Sequence, residues 1–519
     1  MINFFNKRIF ILFFFPILLG GLSVLSFQPF NFFLINFFTL PSLFWLIFYV
    51  KKKSKSVYVK KPFIKNLFYL GTSYGFGFFF FGLYWIIYSM TFDDSFKIFI
   101  PFGLFLIPLF LSLFFSLPII CTGYFINEKI SSIFLISLLF ALGDFARNII
   151  LTGFPWNLWA YSLSSMIENL QLINNIGFFS FNLIVITLFF FPTIFFLKKT
   201  NKYFALFAFL TILFSNYFYG SYKINTQNNF PDNTEKVNFK IVTAGLKLSE
   251  FKDPVSITAR LIKLSEPEIE KKTIFVWPEG TFMAENFLRI KNNNVIKSLF
   301  KKSFSKNHLV ILGASTVKEK KEHFNSMILV DNNLNIISQY DKKKLVPFGE
   351  FLPLENFLNK LGMKKITPGY SSFSTGRNEA KLEIDLFKNK IKLFPLICYE
   401  IIFPGLVEDK IEKFDFIINI SEDAWFGESI GPHQHYAKAI FRSIESRKFL
   451  IRSANKGKSV FIDPNGKVIK ALEPNESGNI ELQLPLLEVT KTQYKKSLIF
   501  SLLLITYVFI FFILRKFKI

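Results

Sequence analysis

Cysteine is scarce. There are two in 519 residues, with Cys121 inside an apolar run, so no disulfide framework is expected. His433 and His435 stand two apart on a stretch read as helix, hence on different faces, and no third ligand joins them. Neither a metal site nor a cofactor is expected. Internal repeats and long low-complexity linkers are absent, and no small-residue cleavage site follows the first apolar stretch. That stretch, behind Lys7-Arg8, reads as a retained span rather than a signal peptide. Acidic residues are outnumbered, 37 against 61 Lys and Arg, for a formal net charge of +24. Evenly spread, that excess would suit a nucleic-acid partner; its placement excludes one.

What the chain has in quantity is apolar surface: 51% hydrophobic residues, with 74 Phe. Crossing a hydrocarbon core of roughly 30 Å takes about 20 helical residues. Runs of that order are predicted near 9–27, 31–50, 66–90, 97–122, 131–151, 174–197, 203–220 and 497–514. Pro101, Pro108 and Pro118 interrupt the fourth. The expected division is a transmembrane domain of seven helices over 1–222, an extramembrane domain over 223–495, and a last transmembrane helix in 496–519. Lys and Arg crowd alternate connections: Lys7-Arg8, Lys51 to Lys55 with Lys60-Lys61, Lys198-Lys199 and Arg515-Lys516. The connections around Gln28-Pro29, Asp93-Asp94 and Thr152 to Asn169 carry none. Basic connections stay in the cytoplasm, so both termini are expected there and the 223–495 domain on the outer face. Asp144 and Arg147, three apart in the fifth span, are expected to pair, because charges in hydrocarbon need partners.

The extramembrane stretch mixes strand and helix patterns. Strands are predicted at 238–242, 273–277, 308–312, 325–331, 334–340, 391–397, 414–420 and 458–462, and helices near 257–264, 291–303 and 433–448. That mixture argues for a layered α/β domain. Three strand ends carry chemistry: Trp277-Pro278-Glu279-Gly280, Tyr340-Asp341-Lys342 running on to Pro347-Phe348-Gly349-Glu350, and Ile397-Cys398-Tyr399-Glu400. Ligands in open α/β sheets gather beyond strand carboxyl ends. A thiol needs a base, which Glu279 can supply, and a tetrahedral oxyanion needs a cation such as Lys342. Each piece has a plainer reading on its own: a turn at Trp277-Pro278-Glu279, a solvated face at Lys342-Lys343-Lys344, a small core residue at Cys398.

Taken in order, these segments resemble the carbon–nitrogen hydrolase (nitrilase) superfamily. With the spans, the chain resembles that superfamily's membrane-embedded apolipoprotein N-acyltransferase family. Further marks are Gly153-Phe154-Pro155-Trp156-Asn157, Asp423-Ala424-Trp425-Phe426-Gly427, Gly431-Pro432-His433-Gln434-His435 and Arg452-Ser453-Ala454-Asn455. The resemblance implies about eight transmembrane helices carrying an αββα sandwich. It implies Glu279 as general base, Lys342 as oxyanion stabiliser and Cys398 as acylated nucleophile. Glu350, Tyr399, Glu400 and Trp425 are implied as supporting or substrate-binding residues. Lys342 is chosen from three neighbouring lysines because it lies eight residues before Glu350. The implied reaction moves an acyl chain from a membrane phospholipid, through a Cys398 thioester, to the N-terminal diacylglyceryl-cysteine of an apolipoprotein, on the periplasmic side of a bacterial inner membrane. Two departures stand out from the family pattern: Glu422 where Asn is usual before Asp423, and Thr243-Ala244-Gly245-Leu246 in place of Gln-Gly-Asn. Both are expected on the substrate side.

The stretch after Glu350 places Leu354, Phe357, Leu358 and Leu361 on one helical face, either as an interfacial lid or as a helix packed on its own domain. Two other readings remain. A membrane-bound nitrilase-like amidase acting on small periplasmic compounds shares the trio and differs in acceptor. A transporter would need broken spans and midplane charges beyond Asp144 and Arg147.

Overall fold

The computed structural model describes residues 8–54, 61–197, 202–227, 235–250, 253–318, 322–360, 365, 372–385, 390–407, 413–487 and 495–517. Lys7, Lys55, Lys60, Lys198, Lys199 and Leu361, on which expectations rested, lie outside them. The chain divides into two compact units, Met1–Ile87 with Lys97–Thr226 and Gln493–Ile519, and Tyr88–Phe96 with Gln227–Thr492.

Among the described residues, seven helices are long and apolar enough to cross a membrane: Phe33–Lys53, Phe63–Thr91, Asp94–Phe125, Ser131–Ile149, Phe178–Phe196, Lys202–Thr226 and Lys496–Lys516. The first predicted span is a shorter apolar helix, Phe10–Val24. At a rise of 1.5 Å per residue it covers about 22 Å, less than a full hydrocarbon core. The proline-interrupted span is divided at Ser112, between Ile100–Leu111 and Leu113–Phe125. The expected ion pair forms: Arg147 Nη2 lies 3.0 Å from Asp144 Oδ1, and Asn182 Nδ2 donates to Asp144 Oδ2 at 2.9 Å. Arg147 Nη1 also donates to the carbonyls of Phe154 and Trp156. The pair thus ties the 153–157 motif to its helix.

The second unit holds two sheets. One contains β1 (Lys236–Thr243), β2 (Thr273–Val276), β3 (Phe282–Asn286), β4 (His308–Val317), β5 (His323–Val330), β6 (Ile336–Asp341) and, far along the chain, β13 (Gly478–Pro485). Its order is β13-β1-β2-β4-β5-β6, with β3 beside β4. The other contains β7 (Leu382–Ile384), β8 (Ile391–Ile397), β9 (Phe416–Glu422), β10 (Phe449–Asn455), β11 (Ser459–Ile462) and β12 (Val468–Leu472), in the order β12-β11-β10-β9-β8-β7. The strands that lead to two of the candidate residues, β2 and β8, pair in parallel with β4 and β9 and are buried except at the partly exposed Lys392, which explains their largely apolar runs.

Inner faces meet where Phe239 of β1 packs edge-on against Phe416 of β9, ring centroids 5.1 Å apart, and Ser453 Oγ donates to the Val242 carbonyl at 3.0 Å. Helices Pro254–Ser265 and Asn294–Ser303 cover the outer face of the first sheet, where Ile257, Leu261, Ile296 and Phe300 join Trp277 in one core. Helix Gly431–Ser446 lies on the second sheet, tied to it by Ser443 Oγ and the Lys448 carbonyl at 2.7 Å. The result is the expected αββα sandwich.

Candidate active site

Glu279 reaches its position because the β2 ladder outlasts the strand. Trp277 N–H still donates to the Ile311 carbonyl at 2.8 Å, and its buried indole donates to Ser265 Oγ at 3.0 Å. The chain then turns, and Gly313 of β4 lets it pass, since a Cβ there would fall 2.8 Å from the Glu279 Cα. Lys342 follows β6, its N–H donating to the Asn325 carbonyl at 2.9 Å. Its side chain is 1% exposed, with Nζ 2.9 Å from Glu350 Oε1 and 3.4 Å from Glu279 Oε1. Burial works against this ammonium, but the carboxylates of Glu279 and Glu350 outweigh it and hold its pKa above the usual lysine value. Lys343 and Lys344 offer main-chain N–H groups to Glu400 instead, at 2.8 and 3.2 Å. Of the three, Lys342 is the one whose buried ammonium lies against Glu279 and Glu350.

Asn325, which sequence reasoning missed, spans both acids: its Nδ2 donates to Glu279 Oε1 at 2.8 Å and to Glu350 Oε1 at 2.7 Å. Its only sequence signal is a polar residue inside the apolar alternation of β5. Glu350 closes its own loop by accepting the Val346 N–H at 2.9 Å.

Cys398 begins the turn after β8 with φ of 46°, a left-handed conformation that costs an L-residue about 1–2 kcal/mol. Burial and then the Glu279 charge push its thiol well above the ordinary range, with Lys342 pulling the other way. The resting group is therefore a thiol that needs a base. Glu400 is fully buried and braces this turn: Oε2 accepts from Ile397 N–H at 2.9 Å, and Oε1 from Tyr340 OH at 2.7 Å. Tyr399 is also buried, edge-on to Phe403 at 5.2 Å.

Glu422 corrects an expectation. Instead of facing substrate, it is 3% exposed, and its N–H donates to Glu279 Oε2 at 3.0 Å. Its carboxyl accepts Asn455 Nδ2 at 2.8 Å, and that same Asn455 is fastened to Leu246, with Leu246 N–H donating to Oδ1 at 2.8 Å. The two departures from the family pattern thus meet at one asparagine, against the general-base candidate. Burial, with the charges of Glu279 and Asp423, raises the Glu422 pKa well above the carboxylate range.

Trp425 stands apart from the Glu279–Lys342–Glu350 set; its half-buried ring packs edge-on against Phe92 at 5.4 Å. Helix Glu355–Lys360 forms after Glu350, preceded by Leu354 at 80% exposure. The side chains of Phe357 and Leu358 lie outside the described residues, as does Leu361.

Two stacked sheets between helices, with Glu279, Lys342 and Glu350 in contact and Cys398 within their field, define a carbon–nitrogen hydrolase domain, and residues 275–494 match the carbon-nitrogen hydrolase family model. Residues 19–191 match the model of the apolipoprotein N-acyltransferase N-terminal domain. The chain belongs to the apolipoprotein N-acyltransferase family. The family's member from Rickettsia prowazekii (strain Madrid E) is 32% identical over 505 residues, 94% of this chain and 95% of that protein. The Rhizobium rhizogenes (strain K84) member is 29% identical over 90% of this chain and 89% of its own. Among solved structures, a CN-hydrolase superfamily protein from Xanthomonas campestris covers 48% of this chain and 91% of its own length, at 15% identity and a TM-score of 0.35.

Proposed function

We propose that this protein N-acylates apolipoproteins, using a membrane phospholipid as donor. Glu279 takes the proton of the Cys398 thiol as sulfur attacks the ester carbonyl, and the Lys342 ammonium stabilises the oxyanion. Collapse breaks the acyl–oxygen bond; Glu279 returns its proton to the departing lysophospholipid, leaving a thioester. The free α-amine of a diacylglyceryl-cysteine then attacks that carbonyl, Glu279 takes the amine proton, and the amide forms as the thiol is restored. This is ping-pong chemistry. Glu350 and Glu400 hold the lysine loop and the nucleophile turn, with Tyr399 and Trp425 at the substrate side. The membrane domain is 1–222 with the helix in 496–519, and the catalytic domain 223–495 faces the periplasm of the inner membrane, both termini cytoplasmic, as the distribution of Lys and Arg supports.

The observation carrying this reading is the buried Lys342 ammonium between two carboxylates, beside a thiol raised by burial, in a chain whose described residues include seven helices of membrane-spanning length. Such a lysine stays charged at neutral pH and is fixed before substrate arrives. The test supplies a synthetic diacylglyceryl-cysteine peptide and a chain-labelled phospholipid to the full-length protein in detergent–lipid micelles. Labelled N-acyl peptide supports the reading. Release of labelled free acid at the same rate with and without peptide would point to hydrolysis by water, as in an amidase.

A further inference from the structure

Behind Cys398 lies a second buried cluster that the proposed mechanism does not use. Asp423, His435, Arg452 and Asn419 are all fully buried. His435 Nε2 lies 3.2 Å from the Cys398 carbonyl oxygen, and its Nδ1 lies 2.9 Å from Asp423 Oδ1 and 3.2 Å from Arg452 Nη2. Arg452 Nη2 donates to Asp423 Oδ2 at 2.7 Å, its Nη1 donates to Asn419 Oδ1, and Ser421 Oγ donates to Asp423 Oδ1 at 2.6 Å. The Phe426 ring stacks edge-on to the imidazole at 5.2 Å, and Gly457 makes room for Asp423, since a Cβ there would fall 2.1 Å from Oδ2. Three elements thus converge on the ring that helix Gly431–Ser446 carries: the turn after β8, the turn after β9, and β10.

We propose that His435 is a positioning residue for the nucleophile: its Nε2–H grips the Cys398 carbonyl and holds the left-handed turn that presents the thiol, while Asp423 and Arg452 fix the ring. A carbonyl can only accept, so that contact requires the proton on Nε2. The Cys398 backbone sits in a region an L-residue leaves readily, and its own carbonyl is the handle on that peptide plane. Burial, the largest influence on the ring, lowers its pKa and favours the neutral form. In that form Nδ1 can accept from Arg452 Nη2 at 3.2 Å, and the same guanidinium, bonded to Asp423 Oδ2 at 2.7 Å, lies between the ring and the carboxylate whose Oδ1 is 2.9 Å from Nδ1. The inference rests on Cys398 being the nucleophile.

Two substitutions separate this role from plain packing. The amide of His435→Gln falls near Nε2 and keeps a donor for Cys398; that of His435→Asn falls near Nδ1 and keeps only the Asp423 side. The full-length protein carries Cys121→Ser in every case, and iodoacetamide alkylation of Cys398 is followed by intact mass, beside acyl-enzyme formation from phospholipid vesicles. Losing one such hydrogen bond is expected to slow alkylation by about tenfold in the Asn variant, with Gln within about threefold of the parent. The reverse order, or Asn alkylating like the parent, would overturn the proposal. If the Asn variant does not fold, Gln decides alone: within that range supports the inference, and slower than that defeats it. Alkylation needs no lipid. A parent that alkylates in the expected order yet takes no acyl chain would defeat the phospholipid-donor reading and leave the positioning role standing.

Discussion

Two buried ion clusters in this protein hold opposite charges in different proportions. In the membrane unit, one arginine meets one aspartate, and the arginine's remaining donors end on backbone carbonyls. In the catalytic unit, one lysine meets two glutamates, with an amide stretched between the acids. The first set balances and has no proton to exchange. The second keeps one carboxylate in excess, which is what a group that must take a proton from a thiol requires. Balance marks a clamp, and a surplus acid marks a place for chemistry.

The comparison is most sharply broken at Lys342. Lys342→Met leaves Glu279 and Glu350 facing each other without a cation and removes the oxyanion's partner, so acyl-enzyme formation should fall by about 10²–10³-fold. Single-turnover mass spectrometry reads this directly. Asn325→Leu removes the spacer between the acids and should slow the same step by about tenfold or more, since each lost bond is to a charged acceptor. The membrane pair should behave in the opposite way. Asp144→Leu strands a buried arginine and should cost about 3 kcal/mol of stability, seen as a lower unfolding temperature in detergent, while the folded fraction still forms acyl-enzyme at the normal rate.

The smallest effect is expected at Glu422. A carboxyl whose folded pKa is raised contributes stability that is complete below its ordinary value of 4.5 and is lost as pH rises through the folded value. Glu422→Gln is neutral throughout and should flatten the decline in unfolding temperature above that pH. An unchanged pH profile would mean that Glu422 does no more than accept from the Asn455 amide and the Ala424 N–H.

Much of this architecture was legible because it depends on period and length. Largely apolar runs mark β2 and β8, and the amphipathic face Ile257, Leu261, Ile262 marks its helix. What escaped depends on polar groups that burial reverses. Strand β10 sits in the middle of its sheet, yet Arg452, Ser453 and Asn455 break its pattern, because each is buried for a partner in another element. Asn325 and His435 escaped for the same reason: their roles lie in distant contacts, with the Glu279 carboxylate and the Cys398 carbonyl. The short strands β3 and β7, and the half-exposed β12 and β13, carry too few buried residues to show a period. Glu422 was misplaced because an extra carboxylate next to a reactive motif reads as a substrate contact until its burial is known.

The central claim is a covalent one, and intact mass tests it most directly. Purified full-length protein is incubated with phospholipid, wild type beside Cys398→Ala. The account predicts a mass increase of one acyl chain on the wild type, removed by hydroxylamine and absent from the variant. An acyl adduct of equal size on Cys398→Ala, or none on a wild type that still produces N-acyl peptide, would contradict it.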